Sequence, residues 1–346
     1  MNEIYGYGSL MNNPLYNCSA MSVEDRLESK IIRRPFWGAC SFVYGILAQF
    51  FYVLCLSVMR KKPLYQYACY KIMFVLGCVD MVSVFINNFI MAYCLGFGVD
   101  FCDMPHFLFV TGSFHLTTWV ISCYFCLFLA LNRILEVLEV NQKFIDFFYT
   151  NNIQKMTVIG FLYGLFFFLF TKPFVYSNRV ASCLIDPQIY RNKSEWYRND
   201  WLVFDDFIVV VVTSSVYGTY LVILCKRYKV ISNKTVQAES TVSQRRLQKV
   251  FAQATVLCGL NFFCAAIYPA FMFMPTLTFI PKTVMMAYQF ATGLPAFVYM
   301  IMNPTIQVGV RDYFFRIIGK QPKDSHFTMT LTQTAMTSHV SPMTQS

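Results

Sequence analysis

Seven runs of about twenty apolar residues constrain this 346-residue chain more than any other feature. They lie at approximately 36–59, 72–97, 107–131, 154–176, 204–225, 250–274 and 283–303. A helix needs roughly 20 mostly apolar residues to cross the hydrocarbon layer, where every backbone polar group must be satisfied within the segment. The first run, Phe36 to Met59, carries no charge and ends at Arg60-Lys61-Lys62. Others are broken only locally, by Lys172-Pro173 in the fourth, Asn261 and Pro269 in the sixth, and Gly293 and Pro295 in the seventh. The fifth opens on Asp205-Asp206. Continuous runs argue against an outer-membrane barrel, whose strands alternate. Composition argues against a soluble enzyme: 56% of residues are hydrophobic and 13% charged, against about 25% charged in ordinary soluble domains. The expected fold is an all-α membrane protein, a seven-transmembrane helix bundle.

Orientation follows from the Lys/Arg bias of the loops. With the N-terminus outside, 18 basic residues fall on the cytoplasmic side and 10 outside, whereas 6 acidic residues fall inside and 11 outside. Only Asp80 remains within the membrane. The net charge of +10 is therefore mainly an orientation mark, and it calls for no nucleic acid. Arg33 and Arg34 dissent locally, since they flank the outer end of the first run. Residues 1–35 then form an extracellular segment, 36–303 the bundle, 304–320 a juxtamembrane amphipathic helix, and 321–346 a disordered Ser/Thr-rich cytoplasmic tail. Two N-glycosylation sequons, at Asn17 and Asn192, fall outside, and a third at Asn233 falls inside. Met1 to Lys30 has no apolar core, so no cleavable signal is expected, and the first run serves as its own insertion signal.

Most of the 13 cysteines lie inside the runs. Cys123 and Cys126 read as small apolar side chains of a membrane helix rather than a redox or metal pair. No metal site and no cofactor are expected. Outside, oxidising surroundings permit a disulfide, and Cys102–Cys183 is favoured over the competing Cys18–Cys102.

An ionisable residue in a span costs about 2.5–3.5 kcal/mol on insertion scales and is a functional candidate by default. Asp80 lies roughly 13 Å beyond Lys71 at the helical rise, and Gln49 lies at a similar depth. Either the pair belongs to an interior polar network, the favoured reading, or a protonated Asp80 serves as glue between helices. Asn87, Asn88 and His115 fall in the outer halves, within reach of an extracellular ligand, and Gln289 joins them as a pocket candidate. Asp205-Asp206 reads more readily as a solvated helix end than as a ligand-facing pair. At the inner ends stand Asn132-Arg133 and Asn303-Pro304, followed by an alternating apolar and charged run through Arg316-Ile317-Ile318 that suits a helix lying on the membrane surface.

Together these features resemble a G-protein-coupled receptor. Leu76-Gly77-Cys78-Val79-Asp80 resembles the Leu-x-x-x-Asp of the second span in rhodopsin-like receptors. Asn132-Arg133 stands where those receptors have an acidic residue followed by Arg, and Asn303-Pro304-Thr305-Ile306-Gln307 stands for Asn-Pro-x-x-Tyr. The sixth run keeps only the Pro of Cys-Trp-x-Pro, at Pro269. A closer resemblance is to the nematode serpentine receptor class T family of chemoreceptors. It is carried by Pro14-Leu15-Tyr16-Asn17-Cys18, Tyr70-Lys71-Ile72-Met73, Phe101-Cys102-Asp103-Met104-Pro105, Leu131-Asn132-Arg133 and Gly293-Leu294-Pro295-Ala296-Phe297-Val298-Tyr299.

The resemblance implies a chemosensory receptor in the plasma membrane, with sensory cilia as the implied site. An extracellular small molecule would bind among the outer halves of the spans. A heterotrimeric G protein would engage the inner face at Asn132 and Arg133. Asp80, Gln49 and Asn303 would form the intramembrane network, and Pro269, Pro295 and Pro304 would act as pivots, since kinks form at Pro. The basic third inner loop would face lipid or the partner, and the Ser/Thr-rich tail would offer sites to a kinase or arrestin. The competing classes are a ligand-gated channel or transporter, for which neither charge rings nor inverted repeats are visible, and a membrane-embedded enzyme, which would need a cluster of acid–base groups at one depth.

Overall fold

The computed structural model describes residues 6–138, 150–190, 194–232, 252–253, 255–267 and 280–319. Six helices in it are long and apolar enough to cross a membrane. They belong to α1 (Pro35–Met59), α2 (Ala68–Phe97), α3 (Pro105–Leu138), α4 (Thr150–Phe170), α5 (Asp200–Ser232) and, after the shorter apolar α6 (Thr255–Ile267), α7 (Ile280–Met302). The remainder of the sixth run, with Pro269, lies outside the described residues. A final helix, α8 (Pro304–Ile317), follows α7 after one residue.

Polarity is distributed as a bilayer requires. Phe36, Val43, Ile46, Phe50 and Val53 of α1 are exposed, while Asp80, Asn87, Asn88 and His115 are buried. Lipid accepts the apolar exterior, and the polar groups find partners only in the interior. A missing side chain lets α1 and α2 approach closely: a Cβ on Gly38 of α1 would come within 2.8 Å of the Ala92 carbonyl oxygen on α2.

Helix ends differ from the hydropathy boundaries for local reasons. The fourth run was expected to reach residue 176, but α4 stops at Phe170, because Pro173 cannot continue a helix and restrains the residue before it. Lys172 then crosses to donate to the Trp196 carbonyl at 2.6 Å. Helix α3 runs past its expected end at 131, so Asn132 and Arg133 lie within it. Helix α5 begins at Asp200, which places Asp205 and Asp206 inside the span. Asn303 caps α8: its side-chain oxygen accepts from the backbone N–H groups of Thr305 and Ile306 at 3.2 Å, and Pro304 follows in the first-turn position that tolerates it.

The outer face is closed by a hairpin. Strands β1 (Val175–Ser177) and β2 (Ser182–Leu184) pair antiparallel with Tyr176 opposite Cys183. The chain entering β1 presses onto α3 at Gly112, where an added Cβ would overlap the Phe174 carbonyl oxygen. The N-terminal segment docks beside the hairpin. Leu10 and Tyr16 are fully buried, and Tyr16 packs edge-on against Phe109 and Tyr197. Tyr197 and Tyr190 donate to the carbonyls of Leu15 and Pro14 at 2.5 and 2.8 Å.

Cysteine pairing differs from the favoured expectation. Cys102 is bonded to Cys18, with Cα atoms 5.6 Å apart, and Cys183 is a free, buried thiol. The reason is which partner each sulfur can reach. The docked N-terminal segment brings Cys18 onto the start of α3, while the hairpin register turns Cys183 inward, where its Sγ lies 3.4 Å from Met91 Sδ.

Candidate functional site

Under the hairpin lies a small cavity of about 40 Å³. His115 and Trp119 of α3 line it with Phe174, Ser182 and Cys183 of the lid, Cys264 of α6, and Val284, Met285 and Tyr288 of α7. The His115 ring stacks on Tyr288 at 5.0 Å, and Trp119 meets Tyr288 edge-on at 5.1 Å. The cavity has room for about one or two waters. Nδ1 of His115 is buried with no hydrogen-bond partner. A buried imidazole nitrogen left in that state loses a bond to water.

Of the pocket candidates read from sequence, His115 alone lines this cavity; the other three join helices. Asn87 and Asn88 sit in a π-helical turn, Phe85–Ile90, within α2. That wider turn buries both neighbours completely, whereas adjacent residues of a regular helix diverge by about 100°. Asn87 donates to Ser83 Oγ at 3.1 Å, Asn88 reaches the Ser41 carbonyl on α1, and Gln289 donates to the Asn87 carbonyl at 2.7 Å. Side-chain oxygens of both asparagines remain unpartnered.

Deeper in the bundle, Asp80 is where four helices meet. Ser122 of α3 donates to its Oδ1 at 2.7 Å, and the Tyr52 hydroxyl of α1 lies 3.1 Å from its Oδ2. The same hydroxyl donates to the Thr292 carbonyl of α7 at 2.7 Å, one turn before Pro295 and one turn after Tyr288. Gln49 and Asn303 do not join this junction. Gln49 donates to the Met81 carbonyl at 2.7 Å, because one residue along α2 from Asp80 is a different helical face. Asn303 is occupied with capping α8, with the Tyr70 hydroxyl 3.5 Å away. The carboxylate's partners, Tyr52 and Ser122, carried no charge and so left no mark in the hydropathy pattern.

Asp205 and Asp206 are not a solvated helix end. They are 5% and 0% exposed. Tyr163 of α4 donates to Asp205 at 2.6 Å, and Trp119 Nε1 donates to Asp206 at 3.2 Å. Each carboxylate keeps one oxygen without a partner. Trp119 thus forms a wall of the cavity and also holds a buried acid behind it.

The lid is fixed at Asn178, the turn of the hairpin. Its N–H donates to Asp100 Oδ1 at 2.8 Å, its Nδ2 to the Ile32 carbonyl at 2.8 Å, and its carbonyl accepts from Arg34 at 2.7 Å. Arg34 therefore stands at the outer end of α1 as a structural clamp, which accounts for its dissent from the charge bias. Burial raises the Asp100 carboxyl above its ordinary range, opposed by the N–H groups of Asn178 and Phe101.

At the inner face, Asn132 is buried with its side-chain oxygen unpartnered. Arg133 follows it on α3. Pro295 lies inside α7. Asn17 is half-buried beside the disulfide, its side-chain oxygen taken by Ser19, and Asn192 lies outside the described residues.

The chain is matched by known proteins. Residues 3–323 match the family model described as Serpentine type 7TM GPCR chemoreceptor Srt. The chain belongs to this family. Serpentine receptor class T-55 of Caenorhabditis elegans is 21% identical over 303 residues, 86% of this chain and 79% of that protein. Among solved structures, squid rhodopsin superposes with a TM-score of 0.56 at 12% identity, covering 88% of this chain and 90% of that one. That likeness speaks to the fold: this Srt-family chain is a multi-pass membrane protein with a rhodopsin-like bundle.

Proposed function

We propose that the chain is a plasma-membrane chemosensory receptor, which detects an extracellular small molecule and activates a heterotrimeric G protein. The observation that carries this reading is the placement of Tyr288. It walls the outer cavity, faces Ser83 on α2 at 3.3 Å, and stands one turn before Thr292, whose carbonyl holds Tyr52 against Asp80. A ligand that opens the cavity by moving His115, Trp119 or Tyr288 alters through them the contacts of α3 and α7 with α2. It shifts the receptor only by binding the open arrangement better than the closed one. Pro295 is the pivot within α7, and Pro269 and Pro304 are proposed as pivots in the sixth run and at the start of α8. Asn132 and Arg133 serve the G-protein face, and the Ser/Thr-rich tail receives a kinase or arrestin.

The test is heterologous expression with a second-messenger readout against small odorants and secreted metabolites. A saturable response is expected, and it should be lost in an Arg133→Ala variant that still reaches the cell surface. Normal signalling by that variant refutes the assignment of Arg133. Ligand-evoked current that persists without G proteins refutes the receptor reading.

A further inference from the structure

A second and larger cavity, about 520 Å³, opens at the opposite end of the bundle. Its walls are Arg60, Lys62, Tyr65, Gln66, Lys71 and Val75 from the α1–α2 connection and α2, and Ile153, Gln154 and Thr157 from α4. Three positive charges line it and, among the described residues, no acidic side chain does. The Lys71 ammonium lies 5.9 Å from the centre of the Tyr65 ring. Gln66, Gln154 and Thr157 add neutral hydrogen-bonding groups, and Val75 with the buried Ile153 makes an apolar base.

Position decides what such a cavity can hold. Arg60 caps the inner end of α1, and Lys71 stands in the first turn of α2, so the cations lie at the cytoplasmic boundary of the hydrocarbon layer. The walls continue upward as two exposed apolar stripes. From Gln154, helical spacing on α4 leads to Val158, Phe161, Leu162 and Leu165, which are 57%, 46%, 59% and 47% exposed. From Val75 on α2 it leads to Cys78, Val82 and Phe85, the last two 48% and 55% exposed. A basic cavity continuous with apolar stripes matches a molecule with an anionic head and acyl chains. A soluble phosphate would match only the cavity. Basic pockets between spans on the cytoplasmic side are also the setting in which phosphorylated lipid headgroups bind, and the Arg guanidinium can hold phosphate bidentately.

We infer that this cavity is a binding site for the phosphorylated headgroup of an anionic phospholipid of the inner leaflet, held by Arg60, Lys62 and Lys71, with its acyl chains along α2 and α4. The occupant ties the α1–α2 connection to the inner end of α4. This inference needs the membrane topology but not the receptor reading.

The experiment uses the full chain in phosphatidylcholine nanodiscs, titrated with fluorescent phosphatidylinositol bisphosphate and followed by energy transfer. Saturable binding is expected, and Arg60→Gln/Lys62→Gln/Lys71→Gln should weaken it by about 100-fold if each cation contributes as basic residues near anionic lipid do. A Thr157→Trp variant keeps every charge but puts a bulky indole on the cavity wall between the cations and α4, and it should also weaken binding. This keeps the inference testable if the triple variant fails to fold. Arg311→Gln/Arg316→Gln removes charge elsewhere on the same face and should leave binding within about twofold, as expected where the charges lie outside the site. Equal binding of phosphatidylserine, or equal loss in the Arg311/Arg316 pair, would reduce the effect to general surface charge and overturn the site. Soluble inositol trisphosphate binding as tightly as the lipid would overturn the lipid assignment.

Discussion

Replacing Cys18 with Ser cuts the covalent tie between the N-terminal segment and the start of α3. The two cysteines are 84 residues apart, and on chain entropy alone such a loop is worth about 4.5 kcal/mol. That figure treats the whole intervening chain as free, but α1, α2 and the connection between them stay in the bundle when the segment undocks. The free tether is the stretch from Cys18 to α1 plus that from α2 to Cys102, roughly 22 residues, worth about 3.4 kcal/mol or about 300-fold in the docking equilibrium. The bundle should survive the change, since buried Leu10 and Tyr16 still favour docking. The assay is labelling by a membrane-impermeant maleimide with peptide mapping. Cys18→Ser should expose a reactive Cys102, and protease should cut within residues 7–21 far faster than in the unaltered protein. Cys183→Ser should do neither. Release of a reactive Cys102 thiol by Cys183→Ser, or an inert Cys102 in Cys18→Ser, would refute the pairing and the docking geometry together.

Three further outcomes are expected. Gly112→Ala places a Cβ inside the Phe174 carbonyl, so the hairpin must lift from α3, and surface expression counted by flow cytometry should drop sharply. Trp119→Phe strips Asp206 of the indole N–H that holds it, leaving a buried acid without a partner at a cost of about 1–3 kcal/mol, whereas Trp119→Phe/Asp206→Leu removes both partners and should recover much of that loss. Thermal melting in detergent, followed by a thiol-reactive dye, reads both variants, and equal midpoints would show that the bond contributes nothing. The Asp100 carboxyl, raised by burial, holds its proton more tightly in the docked lid than in the undocked chain. Its contribution to lid stability is therefore complete below the ordinary Asp range and is lost as pH rises through the raised value. Asp100→Asn should flatten that pH dependence in melts between pH 4 and 7, and an unchanged slope would assign it to another group.

The apolar runs and the sidedness of charge were legible in the sequence because both are properties of segments. A run either is or is not long enough to cross a hydrocarbon layer, whatever it packs against, and loop charges mark a side without reference to helix rotation. Helical punctuation was legible for the same reason, as with Asn303-Pro304 at the start of α8. Local breaks were less so: Pro173 ended α4 before the hydropathy did.

Pairing belonged to the tertiary structure alone. Asp80 stood out at once, yet its partners Tyr52 and Ser122 are ordinary side chains on other helices, and Gln49, at the right depth, faces the Met81 carbonyl instead. Asp205 and Asp206 resemble a helix end because two acids in a row normally seek water. They are buried because α5 starts a turn earlier and brings Tyr163 and Trp119 against them. The fate of Cys102 was decided by the docking of residues 7–21, which no apolar run foretells. Depth in the membrane is a sum along one chain segment. Which face a side chain presents depends on helix rotation and on the loops that lie over the bundle, and only packing fixes those.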